Sequence, residues 1–303
     1  MKKIAVLFLL SAMFFSGFSQ QKIKLWQDNP AFRQKWSELA VFLPEKPDSS
    51  GVSVIICPGG SYVYLDMKNE GYSVAKYLNS KGITAFVLKY RTAWQNNHHP
   101  AMIEDLQRAM EIVKNNAETY KIDPEKVGVM GFSAGGHLAG MAAEYFDKQY
   151  SASQYQTVSN ENLVSGEQKD SLNTDVPNTA YKPCFAAMIY PVVSMEDSIC
   201  HKKSRKNLLG KKYSPELAKQ MSLEQNVRPD MPPVFLLHCT GDKTVDYRNS
   251  VLLDKALTAQ NVPHKFLLLA ENGHGFGIKP KGKATGWIEV FLEWLFGSVM
   301  SSR

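Results

Sequence analysis

Cysteine is scarce in this chain, and the few cysteines present are badly spaced for metal or redox chemistry. The 303 residues include four cysteines, and no two of them have C-x-x-C spacing. The sequence therefore predicts neither a zinc site nor a thioredoxin-like site, and no bound metal is expected. Cys57, Cys184 and Cys239 lie in apolar runs, where cysteine usually serves as a small buried hydrophobe. Whether these residues or Cys200 form disulfides stays open at this point.

Apolar runs long enough to cross a membrane are also lacking. Residues 1–20, MKKIAVLFLLSAMFFSGFSQ, start with a positively charged end, continue with an apolar run at 4–15 and finish with small and polar residues. This layout is typical of a secretory signal peptide, although an N-terminal membrane anchor is the alternative. We therefore expect an exported protein, periplasmic or secreted, without stable membrane insertion once the leader is removed.

Neither sign of charge dominates the chain. Lys and Arg number 35 and Asp and Glu 29, which gives a formal net charge of +6. The basic cluster at 202–212, K-K-S-R-K-N-L-L-G-K-K, has no nucleic-acid-binding signature around it. A solvated face or a lid surface explains such a cluster better than a nucleic-acid site does. Nucleic acid is therefore not an expected partner.

Short apolar runs alternate with longer segments of helical periodicity. Strands are predicted at 52–57, 83–89, 126–131, 184–190, 234–239 and 264–269, with a weaker candidate at 40–43. Helices are predicted at 70–79, 102–115, 137–145, 215–221, 247–259 and 284–296. This alternation predicts an α/β fold, with a mostly parallel central sheet and helices on both faces. Residues 21–303 are expected to form a single catalytic domain, interrupted by a polar insertion near 147–182.

A possible nucleophile lies between a predicted strand and a predicted helix. Residues 131–135 read G-F-S-A-G, which matches the pattern G-x-S-x-G and places Ser133 at the turn. A sharp strand-to-helix turn of this kind exposes the serine oxygen, and it needs small residues two positions to either side. A helix N-cap serine is the structural alternative, but the context favours a nucleophile.

A serine nucleophile needs a base, and the base needs a carboxylate. His274 lies in E-N-G-H-G-F-G after the last predicted strand, in the order and setting expected of the base. The other histidines are less suitable, because they lie before a proline, on the helix of the serine, in the basic cluster or at strand ends. Asp242 follows the strand at 234–239 and is the favoured acid, with Asp246 as its rival and helix capping as the simpler role of that rival.

The stretch P-G-G-S-Y at 58–62 follows the first strongly predicted strand. Its glycines would let backbone N–H groups approach a developing oxyanion, although a plain turn is the alternative. The expected donors are the amides of Gly60, Ser61 and Ala134.

These motifs together resemble the α/β-hydrolase esterase/lipase family, and most closely its bacterial acetylxylan-esterase-like branch, over about residues 50–297. The resemblance is carried by C-P-G-G-S-Y, G-F-S-A-G-G-H, H-C-T-G-D-K-T-V and N-G-H-G-F-G, and further by L-K-Y-R at 88–91. It implies the α/β-hydrolase fold and the triad Ser133, Asp242 and His274. Ser61 stands where the family commonly has a third glycine, and Asp246 where it often has proline.

The expected function is a serine esterase that needs no cofactor. It would hydrolyse short-chain acyl esters, acetyl foremost, through an acyl-enzyme. The resemblance and the predicted export imply a small-molecule or oligosaccharide ester such as a xylan fragment. Trp26, Trp36 and Trp94 could stack on a sugar ring, although packing is their simpler role. A feruloyl esterase, a prolyl-oligopeptidase-like serine peptidase and a non-catalytic binding protein on the same scaffold are the alternatives.

Overall fold

The computed structural model describes residues 21–26, 36–150, 180–196, 198–270, 273–278 and 286–301. The predicted signal peptide and residues 151–179 of the polar insertion lie outside these ranges. The described strands form one eight-stranded sheet in the order β1-β2-β4-β3-β5-β6-β7-β8. They are β1 Gln21–Lys24, β2 Glu38–Phe42, β3 Ser53–Cys57, β4 Thr84–Lys89, β5 Val127–Phe132, β6 Ala186–Ile189, β7 Val234–Cys239 and β8 His264–Leu269.

The sheet is mostly parallel. β2 runs antiparallel to its neighbours β1 and β4, and every other adjacent pair is parallel. Helices cover the connections between parallel strands, because such strands cannot be joined by a tight turn. They are α1 Ser73–Ser80, α2 Ala101–Asn115, α3 Ala117–Tyr120, α4 Ala134–Glu144, α5 Lys202–Leu209, α6 Pro215–Gln220, α7 Arg248–Ala259 and α8 Trp287–Trp294. Within the described ranges, none of the helices combines the length and the apolar character needed to cross a bilayer.

The sheet separates two hydrophobic cores. Successive strand side chains point to opposite faces, so that Ile55 and Cys57 of β3 enter one core and Val54 and Ile56 enter the other. Helices α2, α4 and α7 pack on the first face, and α1 and α8 on the second. The predicted fold class, a mostly parallel sheet covered by helices on both sides, is therefore confirmed.

Several element boundaries differ from the prediction, each for a local reason. β6 is Ala186–Ile189 rather than 184–190, because Tyr190 has a φ of +39°, which is incompatible with an extended strand. The helix predicted at 70–79 is α1 preceded by a π-helix, Met67–Tyr72, which starts where the Asp66 carboxylate accepts a hydrogen bond from Asn69 N. β1 was not predicted at all, since its sequence Q-K-I-K is too polar to stand out.

The carboxyl ends of the parallel strands bring the candidate site together. In open α/β sheets this edge is where ligands usually bind. The oxyanion loop, which we define as residues 58–62, follows β3, and Ser133 follows β5. Tyr190 follows β6, Asp242 follows β7, and His274 follows β8. All five segments therefore meet at one edge of the sheet.

Candidate active site

Ser133 occupies a strained turn between β5 and α4. Its backbone has φ +52° and ψ −117°, outside the regions that L-residues normally adopt. The turn is held from the β6 side, because Ser133 N donates to Ile189 O at 2.9 Å and Ser133 O accepts from Val192 N at 3.1 Å. A non-glycine residue persists in such a conformation only where its surroundings over-determine it.

The glycines of the G-x-S-x-G motif are required by close backbone approach. A Cβ at Gly131 would collide with the carbonyl of Gly135, and a Cβ at Gly135 would collide with the carbonyl of Cys57. A Cβ at Gly59 would lie 2.6 Å from Phe132 O and 2.9 Å from the Cβ of Ser133. The three positions therefore accept no side chain without movement of the backbone.

The structure brings Ser133, His274 and Asp242 together in one hydrogen-bonded chain. His274 Nε2 lies 2.9 Å from Ser133 Oγ, and His274 Nδ1 lies 2.6 Å from Asp242 Oδ2. Since a carboxylate only accepts, Nδ1 carries the proton and donates it to Asp242, which leaves Nε2 to accept from the serine hydroxyl. The geometry is that of a nucleophile whose base is already in place.

Asp242 is held as a buried, fully bonded anion. Its Oδ1 accepts from Thr244 N at 2.8 Å and from Val245 N at 3.0 Å, and its Oδ2 lies 3.3 Å from His238 Nε2. Burial raises the pKa of this carboxyl, but the hydrogen bonds from His238 and His274 outweigh burial, and the pKa falls well below its ordinary value. Asp242 is therefore ionised wherever His274 is neutral enough to act as a base.

Asp246, the alternative acid, is bonded to Arg248. Asp246 Oδ1 accepts from Arg248 N at 2.9 Å, and its carboxylate forms an ion pair with the Arg248 guanidinium. Asp246 therefore lies one residue ahead of the N-cap of α7, Tyr247, and bonds the first residue of that helix. Among the residues that the structure describes, Asp242 rather than Asp246 contacts His274.

The backbone of the oxyanion loop has positive φ angles, which residues other than glycine rarely adopt. Gly60, Ser61 and Tyr62 have φ values of +139°, +55° and +60°. Both Val63 N and Tyr64 N donate to Gly60 O, so the loop closes into a tight turn. Across the described residues, the N–H groups of Gly60 and Ser61 take part in none of these turn hydrogen bonds. Ala134 begins α4, where the first backbone N–H groups have no intrahelical acceptor.

Side chains from three other segments hold the oxyanion loop. Tyr90 donates from its hydroxyl to Pro58 O at 2.7 Å, and Asn207 donates from Nδ2 to Ser61 O at 2.8 Å. Gly59 N donates to the carboxylate of Glu70 at 2.8 Å. Tyr90 lies in the L-K-Y-R motif, and Asn207 lies on α5, so the basic cluster packs directly against the loop. The roles of Asn207 and Glu70 could not be predicted from the sequence, because neither residue lies in a motif.

Two exposed aromatic side chains adjoin the oxyanion loop. Trp94 is 80% exposed on a 3₁₀ turn, Ala93–Gln95, and Ala93 N donates to Tyr62 O at 2.8 Å. Tyr64, two residues beyond this loop, is 59% exposed. Trp26 instead donates to the buried carboxylate of Asp105 at 2.6 Å. Of the three tryptophans considered from the sequence, Trp94 is thus the most exposed, and it follows directly on Ala93, which is bonded to this loop.

Comparison with known proteins supports a single family. The BD-FAE family model matches residues 39–257. The chain is 30% identical over 245 residues to an acetylxylan esterase of Xylanibacter ruminicola, covering 80% of this chain and 44% of that protein. It is 29% identical over 236 residues to endo-1,4-β-xylanase B of Butyrivibrio fibrisolvens, covering 77% and 34% respectively. The chain thus spans less than half the length of these curated relatives.

Solved structures agree over nearly the whole chain. An acetyl ester-xyloside bifunctional hydrolase from Caldicellulosiruptor lactoaceticus has a TM-score of 0.74 and 30% identity, with 92% of this chain and 96% of that chain covered. A truncated carbohydrate esterase from gut microbiota has a TM-score of 0.72 at 20% identity, covering 94% and 97%. The second likeness is evidence for the fold alone.

Proposed function

Because the chain belongs to the BD-FAE family of α/β-hydrolase esterases, we propose that it hydrolyses short-chain acyl esters, acetyl foremost, on carbohydrate such as xylan fragments. The observation that carries this proposal is the hydrogen-bonded chain from Ser133 through His274 to Asp242. The names of the relatives, an acetylxylan esterase and an acetyl ester-xyloside hydrolase, support an acetylated sugar as the substrate class.

The proposed reaction proceeds in two steps. Ser133 Oγ attacks the ester carbonyl carbon while His274 Nε2 takes its proton, and the carbonyl oxygen becomes an oxyanion. The amides of Gly60, Ser61 and Ala134 stabilise that oxyanion, a task in which one lost donor typically costs ~10²–10³ in turnover. His274 then returns the proton to the departing sugar hydroxyl, and an acyl-enzyme remains. Water deacylates it by the same path, and Asp242 stabilises the imidazolium in both steps.

The carbohydrate part of the substrate is supported by the surface beside the oxyanion loop. Trp94 and Tyr64 are exposed there, and a flat aromatic ring with a polar tip suits the apolar face of a pyranose. We propose that these two side chains hold the sugar while the acetyl group reaches Ser133. As proposed, the reaction needs no metal or organic cofactor, because the triad and the backbone amides supply nucleophile, base and oxyanion donors.

Acetate release from acetylated xylo-oligosaccharides tests the proposal. The full chain should release acetate, and Ser133→Ala should lower turnover by about 10⁶-fold while circular dichroism stays unchanged. A serine-directed phosphonate should label the parent chain but not the variant. Feruloyl esters and proline peptides, assayed in parallel, distinguish the alternative substrates. Near-normal turnover by Ser133→Ala, or cleavage of the proline peptide alone, would refute the assignment.

We also propose that the protein is exported with removal of residues 1–20. The support is the charge and apolar pattern of that segment alone. Expression of the full chain in a bacterium, followed by cell fractionation and N-terminal sequencing, should yield a periplasmic or extracellular product that starts near residue 21. Recovery of an uncleaved chain in the cytoplasm would contradict this expectation.

A further inference from the structure

A buried carboxylate that takes no part in the proposed reaction lies beneath the site. Glu70 belongs to the π-helix Met67–Tyr72 and is 3% exposed. π-Helical segments occur frequently at functional sites. One oxygen of Glu70 accepts from Gly59 N at 2.8 Å, and the other accepts from the Tyr190 hydroxyl at 2.8 Å. Burying a charged group is costly unless it is fully bonded, so the position of Glu70 calls for an explanation.

Tyr190 extends this contact to the histidine loop, which we define as residues 273–278. Its hydroxyl accepts from Gly277 N at 3.0 Å while it donates to Glu70. Its ring lies against the imidazole of His274, with 4.7 Å between the ring centroids. Glu70 and Tyr190 therefore join the oxyanion loop, the end of β6 and the histidine loop through three consecutive hydrogen bonds.

The histidine loop also packs directly on the π-helix. Gly277 has φ +55°, and a Cβ at this position would lie 2.5 Å from Asn69 O. Gly275 has φ +66°, and a Cβ there would lie 3.9 Å from Glu70 Oε1. Gly275 and Gly277, which follow His274, thus allow its loop to approach the π-helix and the residue that also binds Gly59.

The hydrogen bonds fit an ionised Glu70. Gly59 N and the Tyr190 hydroxyl are both donors, because that hydroxyl already accepts from Gly277 N. Burial outweighs these donors and the charge of His274, so that the pKa of Glu70 lies above its ordinary value, while the donors and His274 oppose the rise. The other titratable groups that interact with His274 are Asp242, after β7, and His201, before α5; His238 contacts Asp242 from the other side.

We propose that Glu70 is a positioning residue for ester hydrolysis, acting through Gly59 and Tyr190. It fixes the spacing between the oxyanion loop and the histidine loop, and it places a negative charge near the imidazolium that forms during the reaction. Such an interaction strengthens in the transition state, so its loss lowers kcat more than it raises KM. This inference rests on the proposed function, in which His274 is the base.

Two single variants and their combination test the proposal. Glu70→Gln is expected to lower kcat for p-nitrophenyl acetate by about 10- to 100-fold, the range for a hydrogen bond to a charged group, with little change in KM. The acidic limb of the kcat/KM profile should move to lower pH, because an imidazole without a nearby negative charge stays neutral more readily. Glu118→Gln removes an exposed carboxylate on α3 and is the matched control.

Tyr190→Phe removes the hydroxyl that links Glu70 to Gly277 and is expected to lower kcat similarly. Because the two residues act through one chain of contacts, the double variant should be hardly slower than either single variant. A parent chain without esterase activity would refute the proposed function itself. An active parent whose Glu70→Gln variant is less stable but keeps kcat and the acidic limb would overturn the positioning role alone. If Glu70→Gln does not fold, unchanged kcat and pH profile in Tyr190→Phe would overturn it equally.

Discussion

Acidification should destabilise the protein through a histidine on the nucleophile helix. His137 is fully buried on α4, with Nε2 2.7 Å from Met221 O and Nδ1 2.8 Å from the Tyr62 hydroxyl. A carbonyl only accepts, so Nε2 carries the proton and Nδ1 accepts from Tyr62. Burial disfavours the charged imidazolium and so lowers the pKa of His137 from 6.5 to about 4.

The sign and size of the effect follow from linkage. The unfolded chain takes up a proton at His137 near pH 6.5, but the folded chain does not until about pH 4. The unfolded state therefore binds more protons in this window, and the free energy of unfolding falls as the pH drops through it. At 1.36 kcal/mol for each pH unit, His137 alone accounts for about 3 kcal/mol between neutral pH and pH 4.

Urea unfolding at a series of pH values measures this contribution. His137→Gln keeps a donor for Met221 O and an acceptor for the Tyr62 hydroxyl, but it does not titrate. The parent chain should lose about 3 kcal/mol more unfolding free energy than His137→Gln between pH 7 and pH 4. His99, whose pKa burial lowers to about 4, should behave similarly when it is changed to Gln. Parallel stability curves for the parent and His137→Gln would refute the reasoning.

Three further expectations concern the site. Asp242→Asn should lower kcat by about 10⁴-fold, because His274 loses its orienting anion, whereas Asp246→Asn should change kcat only a few-fold; equal losses in esterase assays would contradict the choice of acid. Trp94→Ala should raise KM for acetylated xylo-oligosaccharides by about 2- to 12-fold, the equivalent of ~0.5–1.5 kcal/mol of stacking, and leave p-nitrophenyl acetate unaffected; an equal effect on both substrates would argue against a sugar contact. Gly135→Ala should abolish soluble, active protein, since its Cβ meets the Cys57 carbonyl. A Cβ at Gly297 meets nothing within 4 Å, so Gly297→Ala is the control, and its free energy of unfolding from thermal melts should stay within about 1 kcal/mol of the parent. A well-folded Gly135→Ala would show that the turn can relax.

The fold could be predicted because its signals are local. The runs at 234–239 and 264–269 are apolar enough over their length to mark β7 and β8 to the residue. The strand, turn and helix around Ser133 could also be predicted from residues within a few positions of it. His274 and Asp242 could be proposed because strand order fixes which loops meet at the carboxyl edge of a parallel sheet.

What could not be predicted depends on contacts between distant segments. Glu70 reads as an ordinary polar residue of an amphipathic helix, and nothing nearby signals that it points inward. Its partner Tyr190 lies 120 positions away, and the left-handed backbone that ends β6 there has no sequence signature. Asn207 lies in a run of basic residues that was interpreted as a solvated face or lid surface. Its side chain nevertheless donates to Ser61 O. The signal peptide and the single-domain boundary of the chain stay predictions.

Several residues around the site have backbone conformations that destabilise the folded state. Favourable contacts elsewhere in the fold must offset this cost. Ser61, Tyr62, Ser133 and Tyr190 all have positive φ without being glycine. At about 1–3 kcal/mol each, their combined penalty of ~4–12 kcal/mol rivals the net stability of a typical domain. A laboratory search for heat-tolerant descendants would therefore find its easiest gains by relaxing these four positions, and each such gain would be made at the expense of turnover.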